Sequence, residues 1–250
     1  MNQIYWDVSQ ISMLTDNLGA STHSHGMVQF FLALENIPDI QVGRKKLDKP
    51  ICLFVNKNVK HSVKFHDGII FTTVIDPTSD IGIFIDALMN GNEYYLIDTD
   101  VAKKLSKYAY PMIETFDKES YVTFLNQMYL NLGFQPRERQ MDERITGLLK
   151  ILEDCNCFDH SVEKYAEELD ISTSRLSHLF SEQVGISLKS YLTIHQLEKA
   201  FQSILEGSRL TEAAMNAGFD SHSHFAATVK RLMGLPARKT IKDSRFLKVY

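Results

Sequence analysis

The chain has 250 residues, 44% of them apolar and 23% charged, which is enough apolar material for a packed core in one large domain or two ordinary ones. A net charge of −4 argues against indiscriminate binding to polyanions. No run approaches the ~18 consecutive apolar residues of a membrane helix, and the N-terminus lacks the charged-then-apolar pattern of a signal peptide.

The first hundred residues read as strands. ICLFV (51–55), HSVKF (61–65) and GIIFTTVI (68–75) are rich in β-branched and aromatic side chains and are punctuated by Asn, Asp, Gly and Pro. Short, closely spaced strands predict an antiparallel sandwich or small barrel. Near residue 99 the period becomes helical, with Thr99 or Asp100 as the expected cap. Tyr121, Phe124, Leu125, Met128 and Leu132 then form an apolar stripe that needs a partner, either the sheet or a second subunit. GFQPRERQ (133–140) is the best linker candidate. The expected organisation is thus a β domain over 1–98, helices for dimerisation or packing over 99–134, a linker over 135–141, and a helical domain over 142–250.

That last part has clear helix stops. One stripe holds Ile145, Leu148, Leu149 and Leu152, and a second holds Val162, Tyr165, Ala166 and Leu169. Ser172 or Thr173 caps a third helix, which ends at Gly185. Ser187 opens a longer helix closed by Gly207. Thr211 is expected to cap a short helix ending at Gly218, and a last helix runs from about Ser221 to Met233. A short helix, tight turn and second helix therefore occur twice, at 162–184 and 211–233. Such a unit places its second helix in the major groove of DNA. The connector of roughly 28 Å would hold two reading helices far enough apart for successive grooves, ~34 Å apart. Charge is uneven. Residues 142–170 carry three bases against nine acids, a net of −6, while residues 221–250 carry seven bases against one acid, a net of +6. The basic end suggests a local polyanion contact.

YAEELDISTSRLSHLFSEQVGISLKSYL (165–192) and LTEAAMNAGFDSHSHFAATVKRLMGLP (210–236) resemble the AraC/XylS-type transcription regulators. The Ala-Gly-Phe turn, the Lys-Arg pair and Gly-x-Pro at 234–236 carry the resemblance, which spans about 142–237. It implies a two-domain protein: an N-terminal all-β cupin-like barrel with following helices, and a C-terminal all-α domain with two helix-turn-helix units. It also implies a bacterial, cytoplasmic regulator of double-stranded DNA. Such a regulator would be a homodimer and more often an activator, which would then contact RNA polymerase. Carried over by position, Thr173, Ser174, Arg175, Ser177 and His178 form one DNA-facing set. Ser221, His222, Ser223, Ala227, Lys230 and Arg231 form the other. Arg175, Lys230 and Arg231 suit phosphates, and His178 and His222 suit purine edges. The chain departs from the family pattern at Ala227 and His178, where arginine is frequent, at His195 and Gln196 in the connector, and in the ARKTIKDSR ending.

The family also implies ligand sensing by the N-terminal half, where THSHGMVQFFLAL (22–34) and NKNVKHSVKF (56–65) resemble barrel strands. His61 matches a metal-binding position of cupins, but the glutamate expected after His-x-His is absent. His23 and His25 would share one face if they lie on a strand. With Gln29 and His61 they are read as lining a pocket for a small polar effector rather than a metal, and no cofactor or catalytic residue is expected. On a helix, by contrast, His222 and His224 point ~200° apart and cannot share an ion, and His224 is expected to pack against the domain. The three cysteines, Cys52, Cys155 and Cys157, suit a reduced chain; Cys52 reads as an inert packer and Cys155 with Cys157 as an ordinary pair. Two other functions compete: a metal-dependent cupin enzyme with a DNA-binding appendage, and a ligand-independent regulator controlled by a protein partner.

Overall fold

The computed structural model describes residues 2–137, 140–154, 161–233, 236–237, 240 and 244–250. Cys155, Cys157, part of the expected linker and the Gly-x-Pro turn's first two residues lie outside the described residues. In chain order the N-terminal half comprises β1 (Asn2–Trp6), β2 (Gln10–Thr15), β3 (Leu18–His23), β4 (Val28–Ala33), β5 (Asp39–Val42), β6 (Lys45–Lys46), β7 (Cys52–Val55), β8 (His61–Phe65), β9 (Ile70–Ile75), α1 (Asp80–Met89) and β10 (Tyr94–Leu96). Then follow α2 (Thr99–Thr115), α3 (Lys118–Leu132), α4 (Glu143–Asp154), α5 (Val162–Glu168), α6 (Thr173–Val184), α7 (Leu188–Leu205), α8 (Leu210–Asn216), α9 (His222–Met233) and β11 (Ser244–Lys248).

The strands form a seven-stranded sheet, β10-β7-β4-β9-β2-β1-β11, and a four-stranded sheet, β3-β8-β5-β6. Strand alternation explains how three apolar layers arise from these sequences. On β4 and β7, Phe30, Leu32, Cys52 and Phe54 face α1–α3, whereas Phe31, Leu53 and Val55 face the smaller sheet. Both faces are therefore covered, and the strands read as unbroken apolar runs. Burial of Cys52 raises its thiol pKa far above the ordinary value, consistent with an inert packer.

The stripe on α3 is settled by the fold. Tyr121, Phe124, Leu125 and Met128 join the layer between helices and large sheet, with Tyr121 stacked on Tyr5 at 4.7 Å. Two helix starts differ from the sequence expectation. Asp98 caps α2, its carboxylate accepting from the Asp100 and Val101 N–H groups, because Asp is as good an acceptor one position earlier. Thr211 lies inside α8, which begins after Arg209 without a side-chain cap.

The third apolar layer crosses between the halves. Ile4, Trp6, Ile11, Met27 and Val74 pack with α4–α9, and the Trp6 ring lies 5.2 Å from Phe201 of α7. The chain end returns to the first sheet: β11 pairs parallel with β1 from Asn2↔Ser244 to Trp6↔Lys248. The C-terminal segment is thus helical through α9 and ends as a strand on the other half's sheet. The sequence offered no sign of this, since a parallel edge strand takes its partner from the far end of the chain.

Candidate nucleic-acid interface and sensor pocket

Helices α5–α6 and α8–α9 are the two helix-turn-helix units. Ser172 Oγ accepts the Arg175 N–H at 3.2 Å, and Ser221 Oγ accepts the His224 N–H at 3.1 Å, so both second helices start on a serine cap. Leu176, Leu179 and Phe180 bury one face of α6; Phe225, Thr228, Val229 and Leu232 bury one face of α9. The opposite faces lie open. Thr173, Ser174, Arg175 and His178 are exposed on α6, with Ser177 half-buried and its hydroxyl donating to the Thr173 carbonyl at 2.8 Å. Ser221, His222, Ser223, Ala227, Lys230 and Arg231 are exposed on and before α9. The 18-residue α7 joins the units and measures about 27 Å at the helical rise.

His224 differs from its expected place. It is half-exposed, pairs with Asp220 at 3.1 Å and meets the Phe219 ring edge-on, because the Phe219 and Phe225 rings already fill the packing site beneath it. His195, by contrast, is buried in α7 beside Glu198 and faces no groove. Burial raises the Glu198 pKa, but hydrogen bonds from His195 and Tyr250 and the Lys248 charge outweigh it and leave the carboxyl below its usual value.

The N-terminal half grips the C-terminal ends of both second helices. The Asp80 N–H donates to the carbonyl of Gly185, the C-cap of α6, at 2.9 Å. The Gly26 N–H donates to the Arg231 carbonyl, in the last turn of α9, at 3.2 Å. Sequence reasoning missed both contacts; they are backbone bonds, which no side-chain pattern encodes.

Gly26 lies one residue from a histidine cluster. His23 ends β3 and stands opposite His61 of β8. His25 lies beyond the end of β3, in the turn to β4. The two histidines therefore do not share a strand face; the turn folds the second ring back over the first. Ring centroids are 5.6 Å apart for His23–His25, 4.4 Å for His23–His61 and 5.1 Å for His25–His61. One ring nitrogen from each lies within 4.8 Å of the others. Desolvation, then the neighbouring histidines, lowers the His25 pKa to about 3; desolvation lowers that of His61 to about 4. Both rings are neutral at physiological pH. Gln29 also belongs here, its Oε1 3.1 Å from His25 Nε2. The four side chains thus form one cluster, of which His23, Gln29 and His61, but not His25, line a cavity. Thr72, Thr73 and Met233, which sequence could not connect to them, line it too. The cavity is about 40 Å³, is also lined by apolar side chains such as Ile11, Phe31 and Val63, and lies where strands of the two sheets meet the end of α9.

Residues 165–243 match the family model described as "Helix-turn-helix domain". The arabinose operon regulatory protein of Salmonella typhimurium is 31% identical over 97 residues, covering 38% of this chain and 34% of that protein. The match thus spans about a third of that relative's length. The probable transcriptional regulator LumQ of Photobacterium leiognathi is 24% identical over 230 residues, covering 85% of this chain and 88% of LumQ. Among solved structures, ToxT from Vibrio cholerae aligns over 94% of this chain and 98% of its own, at 14% identity and a TM-score of 0.46.

Proposed function

We propose, from the AraC/XylS-type helix-turn-helix domain that this chain carries, that it is a sequence-specific regulator of transcription on double-stranded DNA. The carrying observation is the pair of serine-capped helices, each with a buried apolar face and an open polar one, joined by a rigid connector. In this reading α6 and α9 enter successive major grooves from one side of the duplex. Arg175, Lys230 and Arg231 contact phosphates, while Ser174, Ser177, His178, His222, Ser223 and Ala227 face base edges, with Thr173 and Ser221 at the helix starts. The relative that aligns over most of the chain is described as a probable transcriptional regulator, which supports extending the reading to both halves.

The N-terminal cupin-like half is the sensor and supplies the dimer contact. Tyr108 of α2 and Leu130 of α3 remain exposed beside the buried stripe and suit a second copy of the chain. Activation through RNA polymerase, a cytoplasmic location and the lack of catalysis belong to the same reading. Among the described residues no helix is long and apolar enough to cross a membrane.

The test is selection of bound duplexes from a random pool by the full chain, followed by footprinting. The expected result is a non-palindromic element protected over two successive major grooves per subunit. Selection yielding no enriched sequence, or protection of a single groove, refutes it.

A further inference from the structure

The histidine cluster has an imbalance of hydrogens. The Nδ1 atoms of His23, His25 and His61 bond to the backbone carbonyls of Ser21 (2.8 Å), Met27 (3.0 Å) and Val59 (2.9 Å). A carbonyl only accepts, so Nδ1 of His23 and of His61 carries the proton and their Nε2 atoms present bare lone pairs; both nitrogens of His25 face oxygens that only accept, so whichever one carries the proton, the other meets a lone pair. His61 Nε2 is buried and has no hydrogen-bond partner. His25 Nε2 faces Gln29 Oε1. That amide cannot be turned around. Its nitrogen donates to Thr72 Oγ1, with the Thr73 carbonyl at 3.2 Å and the Phe30 carbonyl at 3.4 Å, while the Thr72 hydroxyl proton goes to the Phe30 carbonyl. One nitrogen of the neutral His25 ring therefore confronts an acceptor, beside the unsatisfied Nε2 of His61, an arrangement that costs free energy in a dry site. A water donating to His23 and His61 would leave the mismatch at His25 in place. A cation satisfies all of them together.

We propose that His23, His25 and His61, with Gln29 Oε1 as a fourth donor, bind one first-row divalent transition ion of the zinc class, and that this ion is the effector of the N-terminal half. This rests on the regulator reading above for its second clause only. Imidazole nitrogens suit Zn, Ni and Cu, and three of them with a further oxygen is an ordinary coordination set for these ions. The Nδ1–carbonyl bonds are the outer contacts that orient metal-ligating histidines. The cavity of about 40 Å³ that His23, Gln29 and His61 help to line leaves space for a water or two beside the ion. The absence of a carboxylate leaves the ion's charge uncompensated. Occupancy would reposition His25 and, one residue on, the Gly26 N–H that holds the end of α9.

The test uses the full chain, stripped with a chelator and dialysed against Zn²⁺ or Co²⁺. One ion per chain by elemental analysis, with visible Co²⁺ d–d absorption, is expected, and both should be lost in His61→Ala and His25→Ala. If those variants do not fold, Gln29→Glu carries the test, since a carboxylate in place of the amide should tighten binding by about tenfold or more. A folded wild type that retains no ion, or a Gln29→Glu chain that binds no more tightly, overturns the site. The effector clause is read separately, on a selected duplex. A change of about fivefold or more in DNA affinity between stripped and Zn²⁺-loaded protein supports it. Equal affinity with the ion bound overturns it. DNA binding in neither state refutes the regulator reading, while the metal stoichiometry still decides the site.

Discussion

The two helix-turn-helix units share a plan and differ in what holds them. Each second helix has 12 residues, a serine cap and one buried face. The α6 unit ends on Gly185, tied to the backbone at Asp80, where α1 begins. The α9 unit is tied in its last turn, at the Arg231 carbonyl, to Gly26 beside the histidine cluster. The neighbourhood of the first unit is acidic and that of the second basic. In the proposed reading, the difference means that reading DNA and reporting on the pocket are divided between the units. Both faces are available to DNA, but only the second unit sits where a change in the pocket reaches it through one backbone bond.

The strongest way to break that comparison is to remove what both units share. Trp6 is fully buried in the layer formed by the N-terminal strands and α7, against Phe201 and Phe246. Trp6→Ala should destabilise the protein by ~3–5 kcal/mol, measured by denaturant unfolding, because truncating a large buried ring leaves a cavity. A single lowered transition is expected for both halves. Separate transitions, with the C-terminal one unmoved, would show that the halves do not share a core.

Much of this arrangement was legible in the sequence. The strands at 52–55, 61–65 and 70–75, the α3 stripe and both helix-turn-helix units follow from apolar period, and the serine caps from residue type. The members of the histidine cluster were legible as well, since His-Ser-His and His61 are rare residues in strand-like stretches. Their geometry was not. His25 reaches the cluster from a turn, with a register shift in β3 between Ala20 and His23, and irregular backbone leaves no period to read. The return of β11 to β1 and the buried Glu198 contacts with Lys248 (3.4 Å) and Tyr250 are long-range pairings without local signal.

A smaller effect sharpens the comparison at the helix starts. Ser172→Ala and Ser221→Ala each remove a cap and should each cost ~1 kcal/mol in thermal or denaturant unfolding. Their effects on DNA should separate. Ser221 is exposed before α9 and keeps its hydroxyl proton free for a phosphate while capping, whereas Ser172 lies outside the assigned contacts. Equal losses of DNA affinity at matched folded fraction would show that both act through the fold alone.

The smallest effect is the most diagnostic of how the basic end is used. Lys230 is exposed in the last turn of α9 and has no ion pair among the described residues. An unpaired ammonium near a phosphate displaces one condensed counterion on binding. Lys230→Ala should therefore weaken binding to every duplex alike and reduce the slope of log affinity against log salt by about one. Stability should hardly change, since the side chain is solvated. Loss confined to the selected sequence would instead move Lys230 to a base edge. An unchanged slope would remove it from the interface and leave Arg231, whose carbonyl is held by Gly26, as the phosphate contact at the end of α9.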